Sequence, residues 1–148
     1  MLKRYFLNPD DMWSRVENGE LLYTPIIVVS DKSHTHVYLS GQTPRLPSGE
    51  VPGTTMREQI RKTCENIKIG LEHVGATFDD VVTTTTYVLD LPEYYAASDE
   101  RFKFFKNNRP ASTLLQVAGL GVPGARVEIT VEAIIETERL RVDVPEDI

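Results

Sequence analysis

The sequence predicts a single α+β domain built on a mixed sheet, with two helices packed on one face of that sheet. Three observations carry the prediction. Residues Arg126 to Glu136 alternate strictly, with Val127, Ile129, Val131, Ala133 and Ile135 on one side and Arg126, Glu128, Thr130 and Glu132 on the other, the period-2 pattern of a strand with one buried face. Met56, Ile60, Cys64, Ile67, Leu71 and Val74 step by three or four, which makes one apolar helical stripe. The order of segments is strands, helix, strand, helix, strands, unlike the strict alternation of a dinucleotide fold.

Each element has local support. Leu21 to Val29 is apolar and β-branched, and Ser30-Asp31-Lys32-Ser33 reads as the turn that follows. A second strand runs from His36 to Gly41 and ends in a Pro/Gly-rich loop from Pro44 to Gly53. Thr55 and Glu58 have the spacing of a capping box for the first helix, and Gly75 provides a left-handed stop. Asp80 to Asp90 contains the run Thr83-Thr84-Thr85-Thr86, which suits a pleated strand better than a helix. The second helix is expected from Pro92 to Asn107-Asn108, with Asp90 and Glu93 as its cap pair and Tyr95, Ser98, Phe102 and Phe105 as its stripe. Thr113 to Gly119 is a short strand. The first twenty residues, with Asn8-Pro9-Asp10-Asp11 and Trp13, read as a short helical arm docked through Trp13, and residues 137–148 as a charged tail. Two helices cover only one face of such a sheet, so the other face is either wet or pressed against another subunit.

Composition bounds the function. A chain of 148 residues is one domain, and 41% hydrophobic with 26% charged residues is ordinary for a soluble protein. A net charge of −6 argues against a nucleic-acid surface, which needs clustered Lys and Arg. A lone cysteine, Cys64, excludes an intramolecular disulfide framework; on the helical stripe it reads as a packed core thiol. His34, His36 and His73 lack the spacing of a metal site, and neither a GxGxxG nor a GxxxxGK[ST] motif is present. No stretch approaches the roughly 18 apolar residues of a membrane span, so the expectation is a cytoplasmic protein without metal, nucleic-acid or membrane partner.

A set of short segments resembles the RidA (YjgF/UK114) family, which has also carried translation-inhibitor and endoribonuclease labels. These are Ser40-Gly41-Gln42, Gly49-Glu50-Val51, Gln59, Asn66-Ile67, Gly75-Ala76, Asp80-Val81-Val82, Arg109-Pro110-Ala111, Val117-Ala118-Gly119-Leu120 and Val127-Glu128-Ile129 with Glu132-Ala133-Ile134, spread over Tyr23 to Ile135. The resemblance implies a chorismate-mutase-like fold assembled as a homotrimer, with substrate clefts between subunits. It also implies hydrolysis of a reactive imine or enamine to a carbonyl compound and ammonia, with no cofactor.

Glu132 is matched to the family's glutamate and assigned to handling water, with an interfacial ion pair as its alternative. The implied substrate-binding residues are Tyr23, Ser40, Gly41, Arg109, Ser112, Thr113 and Leu114. One departure stands out: deaminating members carry an arginine directly after Pro-Ala, and here that position is Ser112. A serine carries no charge to pair with a carboxylate. Arg109 and Arg126 are the candidate substitutes. An atypical imine, or a non-catalytic binding or regulatory trimer, are the two readings this departure leaves. The acidic balance weighs against a ribonuclease.

Overall fold

The computed structural model describes residues 1–53 and 55–142. In chain order the elements are β1 (Lys3–Leu7), β2 (Val16–Glu17), β3 (Glu20–Leu21), β4 (Ile26–Ser30), β5 (His34–Leu39), α1 (Met56–His73), β6 (Val81–Val88), α2 (Leu91–Tyr95), β7 (Ala111–Gln116) and β8 (Val127–Glu136). Six strands form one sheet in the order β1-β4-β5-β8-β6-β7. All neighbours are antiparallel except β6 and β7, which are parallel. The helical segments lie on one face, as the two-layer pattern predicts.

The core is the apolar row of β8 against the α1 stripe. Val127, Ile129, Val131, Ala133 and Ile135 are buried, as are Met56, Ile60, Cys64, Ile67, Leu71 and Val74. Thr55 caps α1 by accepting from the Glu58 N–H at 3.1 Å. Gly75 stops it at φ +81, and a side chain there would collide with the Arg139 carbonyl. Asp90 caps α2 by accepting from the Glu93 N–H at 2.9 Å.

Five expectations are corrected. The first residues are not a helical arm: Lys3–Leu7 pairs antiparallel with β4 as an edge strand, with Tyr5 and Leu7 packed against the core. Asn8 to Asp11 is a turn, closed by Met12 N–H to the Pro9 carbonyl at 3.2 Å. Trp13 does dock, against the loop after β5. The first long strand starts at Ile26 rather than Leu21, because Leu21 pairs with Val16 in a two-residue hairpin whose turn, Asn18-Gly19, has positive φ at both positions. β5 starts at His34, two residues early, and β7 likewise precedes its expected start. The second helix breaks after Tyr95 and continues as a tighter turn from Ser98 to Lys103. Its inward residues are therefore Tyr94, Ala97, Glu100 and Phe105, while Tyr95 and Phe102 face outward.

Glu100 is the unexpected inward residue. It is fully buried, yet Arg57, Arg61 and Lys103 donate to its carboxylate at 3.1, 2.8 and 2.9 Å. These cationic side chains are themselves largely exposed, so they form a lid of charge over the acid.

Among the described residues, nothing covers the opposite face of the sheet. Phe6, Tyr38, Leu115 and Ile134 stand exposed on it or at its edges, beside Glu132, Glu136 and the outward threonines of β6.

Candidate functional site

The larger cavity, about 400 Å³, opens where β5 ends, a volume in the usual range for a small-molecule site. Its floor is set by backbone pairing. Gln42 exchanges both main-chain hydrogen bonds with Ile129 of β8, at 2.8 and 2.9 Å. Ser40 is fixed twice, by its N–H to the Pro25 carbonyl at 2.9 Å and its hydroxyl to the Thr24 carbonyl at 2.7 Å. Asn66 on α1 holds the loop from the other side, donating to the carbonyls of Thr43 and Arg45 at 2.9 and 2.7 Å. Gln59 performs a similar task elsewhere: it donates to the Gly124 carbonyl and accepts from the Arg126 N–H. Gln59 and Asn66, the two polar family-motif residues on α1, are thus scaffold residues.

Glu128 projects into this cavity from the face of β8 opposite the core. Its carboxylate lies against Gly41 so closely that a Cβ there would meet Oε2 at 2.5 Å. Burial pushes the Glu128 carboxyl above its ordinary value. Tyr23 lines the same cavity, and its phenol is pushed up chiefly by burial, with the Glu128 charge adding to it. It therefore remains a hydrogen-bond donor at neutral pH.

Arg45 completes the wall. Its guanidinium lies 3.5 Å over the Trp13 ring, and its Nε is buried without a hydrogen-bond partner among the described residues. Desolvation lowers its pKa from the ordinary value.

The residues singled out in the sequence fall into three groups. Tyr23, Ser40 and Gly41 line the large cavity together. Arg109 and Ser112 line a smaller hollow of about 250 Å³ between β7 and the Ser98–Lys103 turn. Thr113 and Leu114 lie on β7 itself, opposite Thr85 and Thr86.

Glu132 lines neither cavity. It sits four residues, two strand repeats, beyond Glu128, opposite Tyr38 and Thr83 on the uncovered face. Arg126 pairs with Glu93 at 3.2 Å, and Arg109 donates to the carbonyls of Phe105 and Lys106. Neither reaches the large cavity.

Sequence reasoning missed Glu128, Arg45 and Trp13 as cavity residues. Glu128 shares its strand face with Glu132, and only the Gly41 contact distinguishes them. No periodicity brings Trp13 to Arg45.

Known proteins match this sequence and fold. The family model described as Endoribonuclease L-PSP matches residues 23–135. A RutC family protein of Saccharolobus solfataricus is 37% identical over 98 residues, covering 66% of this chain and 77% of its own. The human 2-iminobutanoate/2-iminopropanoate deaminase is 32% identical over 99 residues, covering 66% of this chain and 72% of its own. Among solved structures, RidA from the Antarctic bacterium Psychrobacter superposes with a TM-score of 0.74 at 25% identity, covering 88% of this chain and 99% of that one. The Rid-family protein YyfA of Yersinia pestis gives 0.76 at 25% identity, covering 90% and 100%. With the fold and the matched span in agreement, the chain belongs to the RidA/YjgF family.

Proposed function

We propose that the protein hydrolyses a small reactive imine or enamine, taking up one water and releasing a carbonyl compound and ammonia. The observation that carries this reading is the Glu128 carboxyl, raised by burial and held beside the Ser40-Gly41 strand end. A carboxyl with a raised pKa holds and releases a proton nearer neutral pH, where proton transfer is most effective. In this reading Glu128 takes a proton from the attacking water and passes it to the imine nitrogen, giving a carbinolamine, then carries the second proton from the carbinolamine hydroxyl to the amine as the carbonyl forms, the C–N bond breaks and ammonia leaves. Tyr23 donates a hydrogen bond to the substrate, and Gly41 allows the substrate close to the backbone. Glu128 thus takes the role first assigned to Glu132; Glu132 is left to the interface between subunits.

The assembly that suits this chemistry is a homotrimer. The uncovered sheet face, with Tyr38 and Ile134 exposed, is then buried against copies of itself. The same packing brings β7 of one subunit, with Ser112, Thr113 and Leu114, toward the large cavity of the next. Light scattering that gives a monomer at micromolar concentration overturns this assembly.

The function is tested by generating short-chain imines in situ with an amino-acid oxidase and following their loss with and without the protein. Acceleration that is abolished in Glu128→Gln and retained in Glu132→Gln supports the reading. No acceleration with any imine leaves the non-catalytic binder, the reading that Ser112 favours.

A further inference from the structure

We propose that Arg45 binds an anionic group that a spacer separates from the reacting C=N bond, so that the ligand is an imine or enamine with a distal carboxylate. The nature of the reacting end rests on the deaminase reading above; the anion site itself rests on the setting of Arg45.

In the sequence, Arg45 is one charged residue in the Pro/Gly-rich loop after β5. In the structure it lines the large cavity together with Trp13, Tyr23 and Glu128. The indole of Trp13 fixes it, with the guanidinium 3.5 Å over the ring. A guanidinium stacked on an aromatic face keeps its N–H groups at its edge, where a ligand can take them. Trp13 is held in turn against Gly49, where a Cβ would stand 2.6 Å from the indole Nε1. Asn66 ties down the loop by donating to the Arg45 carbonyl at 2.7 Å. Platform and loop are thus fixed before a ligand arrives, so little rotamer freedom remains to be lost on binding.

The other arginines of the folded core have acceptors. Arg57, Arg61, Arg126 and Arg139 pair with carboxylates, as does Arg15 beside the cavity. Arg101 and Arg109 donate to neutral oxygens. The Arg45 guanidinium has neither among the described residues, and its Nε is buried. A buried donor without an acceptor is unfavourable, and in a cavity it marks the place where a ligand supplies one. Burial opposes the Arg45 charge, and Arg15 opposes it further; a bound anion relieves both. The acids of the cavity wall are engaged elsewhere. Asp11 meets His73 at 2.6 Å, and Glu128 lies against Gly41.

The spacer follows from where the two ends lie. Arg45 and Glu128 carry opposite charges and face one cavity, yet they form no ion pair among the described residues. Tyr23 links them, since its phenol feels the charges of both Arg45 and Glu128. The Glu128 carboxyl, by contrast, is governed by burial, with no cation to lower it. The anion site is therefore across Tyr23 from the proton carrier. A carboxylate bonded directly to the imine carbon would reach only one of these two ends. A cavity of about 400 Å³ has room for the longer ligand.

The test uses the full-length protein in its native assembly and stable carbonyl probes titrated by calorimetry. These are 5-oxohexanoate, its isomer 2-oxohexanoate, and methyl 5-oxohexanoate, which lacks the charge. The 5-oxo acid is expected to bind about tenfold or more tightly than either of the others. Arg45→Gln should abolish that preference while changing ester binding by less than about twofold, and Arg45→Lys should recover part of it. The isomer preference of the wild-type protein needs no variant, so it serves if Arg45→Gln does not fold.

Equal or tighter binding of the 2-oxo isomer overturns the proposal, as does an acid preference that survives Arg45→Gln or an equal loss of acid and ester. No binding of either isomer at millimolar concentration overturns it as well. Arg45-dependent binding of the 5-oxo acid without turnover of any imine upholds the anion site and defeats the deaminase reading alone. Turnover of 2-imino acids at full rate by Arg45→Gln, with no preference for a distal acid, defeats this proposal alone.

Discussion

Gly41 and Glu128 are in a contact that admits no side chain: a Cβ on Gly41 would stand 2.5 Å from Oε2 and 2.9 Å from Cδ of Glu128. The glycine is therefore a condition for where the carboxylate sits, not a requirement of the turn. Gly41→Ala should turn Glu128 away from the strand end. We expect imine hydrolysis to fall about tenfold or more, because small misplacements of a reacting group are costly, with a loss of stability of about 1 kcal/mol or less by chemical denaturation.

Glu128→Gln should lower the rate about 100-fold, the range typical of a lost proton carrier. The same substitution should help the fold at neutral pH. The Glu128 carboxyl is raised by burial, so the folded state holds its proton more tightly than the unfolded chain does. Stability then falls as pH rises from the ordinary carboxyl value to the folded one. Glutamine removes that loss, so the variant's melting temperature should exceed wild type at pH 7 and match it near pH 4. A melting temperature below wild type at pH 7 would count against burial as the cause.

Glu100 has the opposite sign. Hydrogen bonds from Arg61, opposed by burial and reinforced by Lys103 and Arg57, bring its carboxyl from 4.5 down to about 2. Its contribution is fully present above pH 4.5 and is lost as pH falls through about 2. Glu100→Gln should cost about 1–3 kcal/mol at pH 7. The difference from wild type should shrink steadily in acid melts between those two pH values.

Cys64 is buried on α1, and its thiol is pushed up to about 12, above all by desolvation. The folded protein should not react with a disulfide reagent at pH 8, while denatured protein reacts at once. Native reaction on the time scale of the denatured control would show that α1 opens locally. Cys64→Ser should cost about 1–3 kcal/mol, through a hydroxyl placed where only apolar atoms suit.

Legibility followed the range of the physics. The α1 stripe, the caps at Thr55 and Asp90, the stop at Gly75 and the two-faced β8 depend on residues within a few positions of one another, and all are readable in order. On the second helical segment Phe105 is inward as its stripe predicts, but Tyr94, Ala97 and Glu100 stand in place of Tyr95, Ser98 and Phe102, and the helix gives way to a tighter turn from Ser98. Glu100 then points inward, which no hydrophobic pattern anticipates; its partners on α1 lie some forty residues away. The N-terminal strand has the same origin, since Lys3–Leu7 becomes a strand only because β4 offers it an edge. At the site, the family pattern pointed to Tyr23, Ser40 and Gly41, which do share a cavity. Glu128 could not be told from Glu132 without the contact to Gly41.

The place of β8 in the sheet has a consequence for how the chain is made. This strand lies between β5 and β6, pairing with β6 from Val127 to Ala133 and with β5 from Glu132 to Glu136, yet it is the last strand in chain order among the described residues. Until Glu136 has left the ribosome, β1-β4-β5 and β6-β7 are two separate ribbons, each with an unsatisfied edge waiting for the same partner. Synthesis that stalls before residue 127 would release a chain with two sticky edges and no central strand, a species prone to pairing with its neighbours. Folding here is an act of late insertion, and long-range closure of this kind is slow.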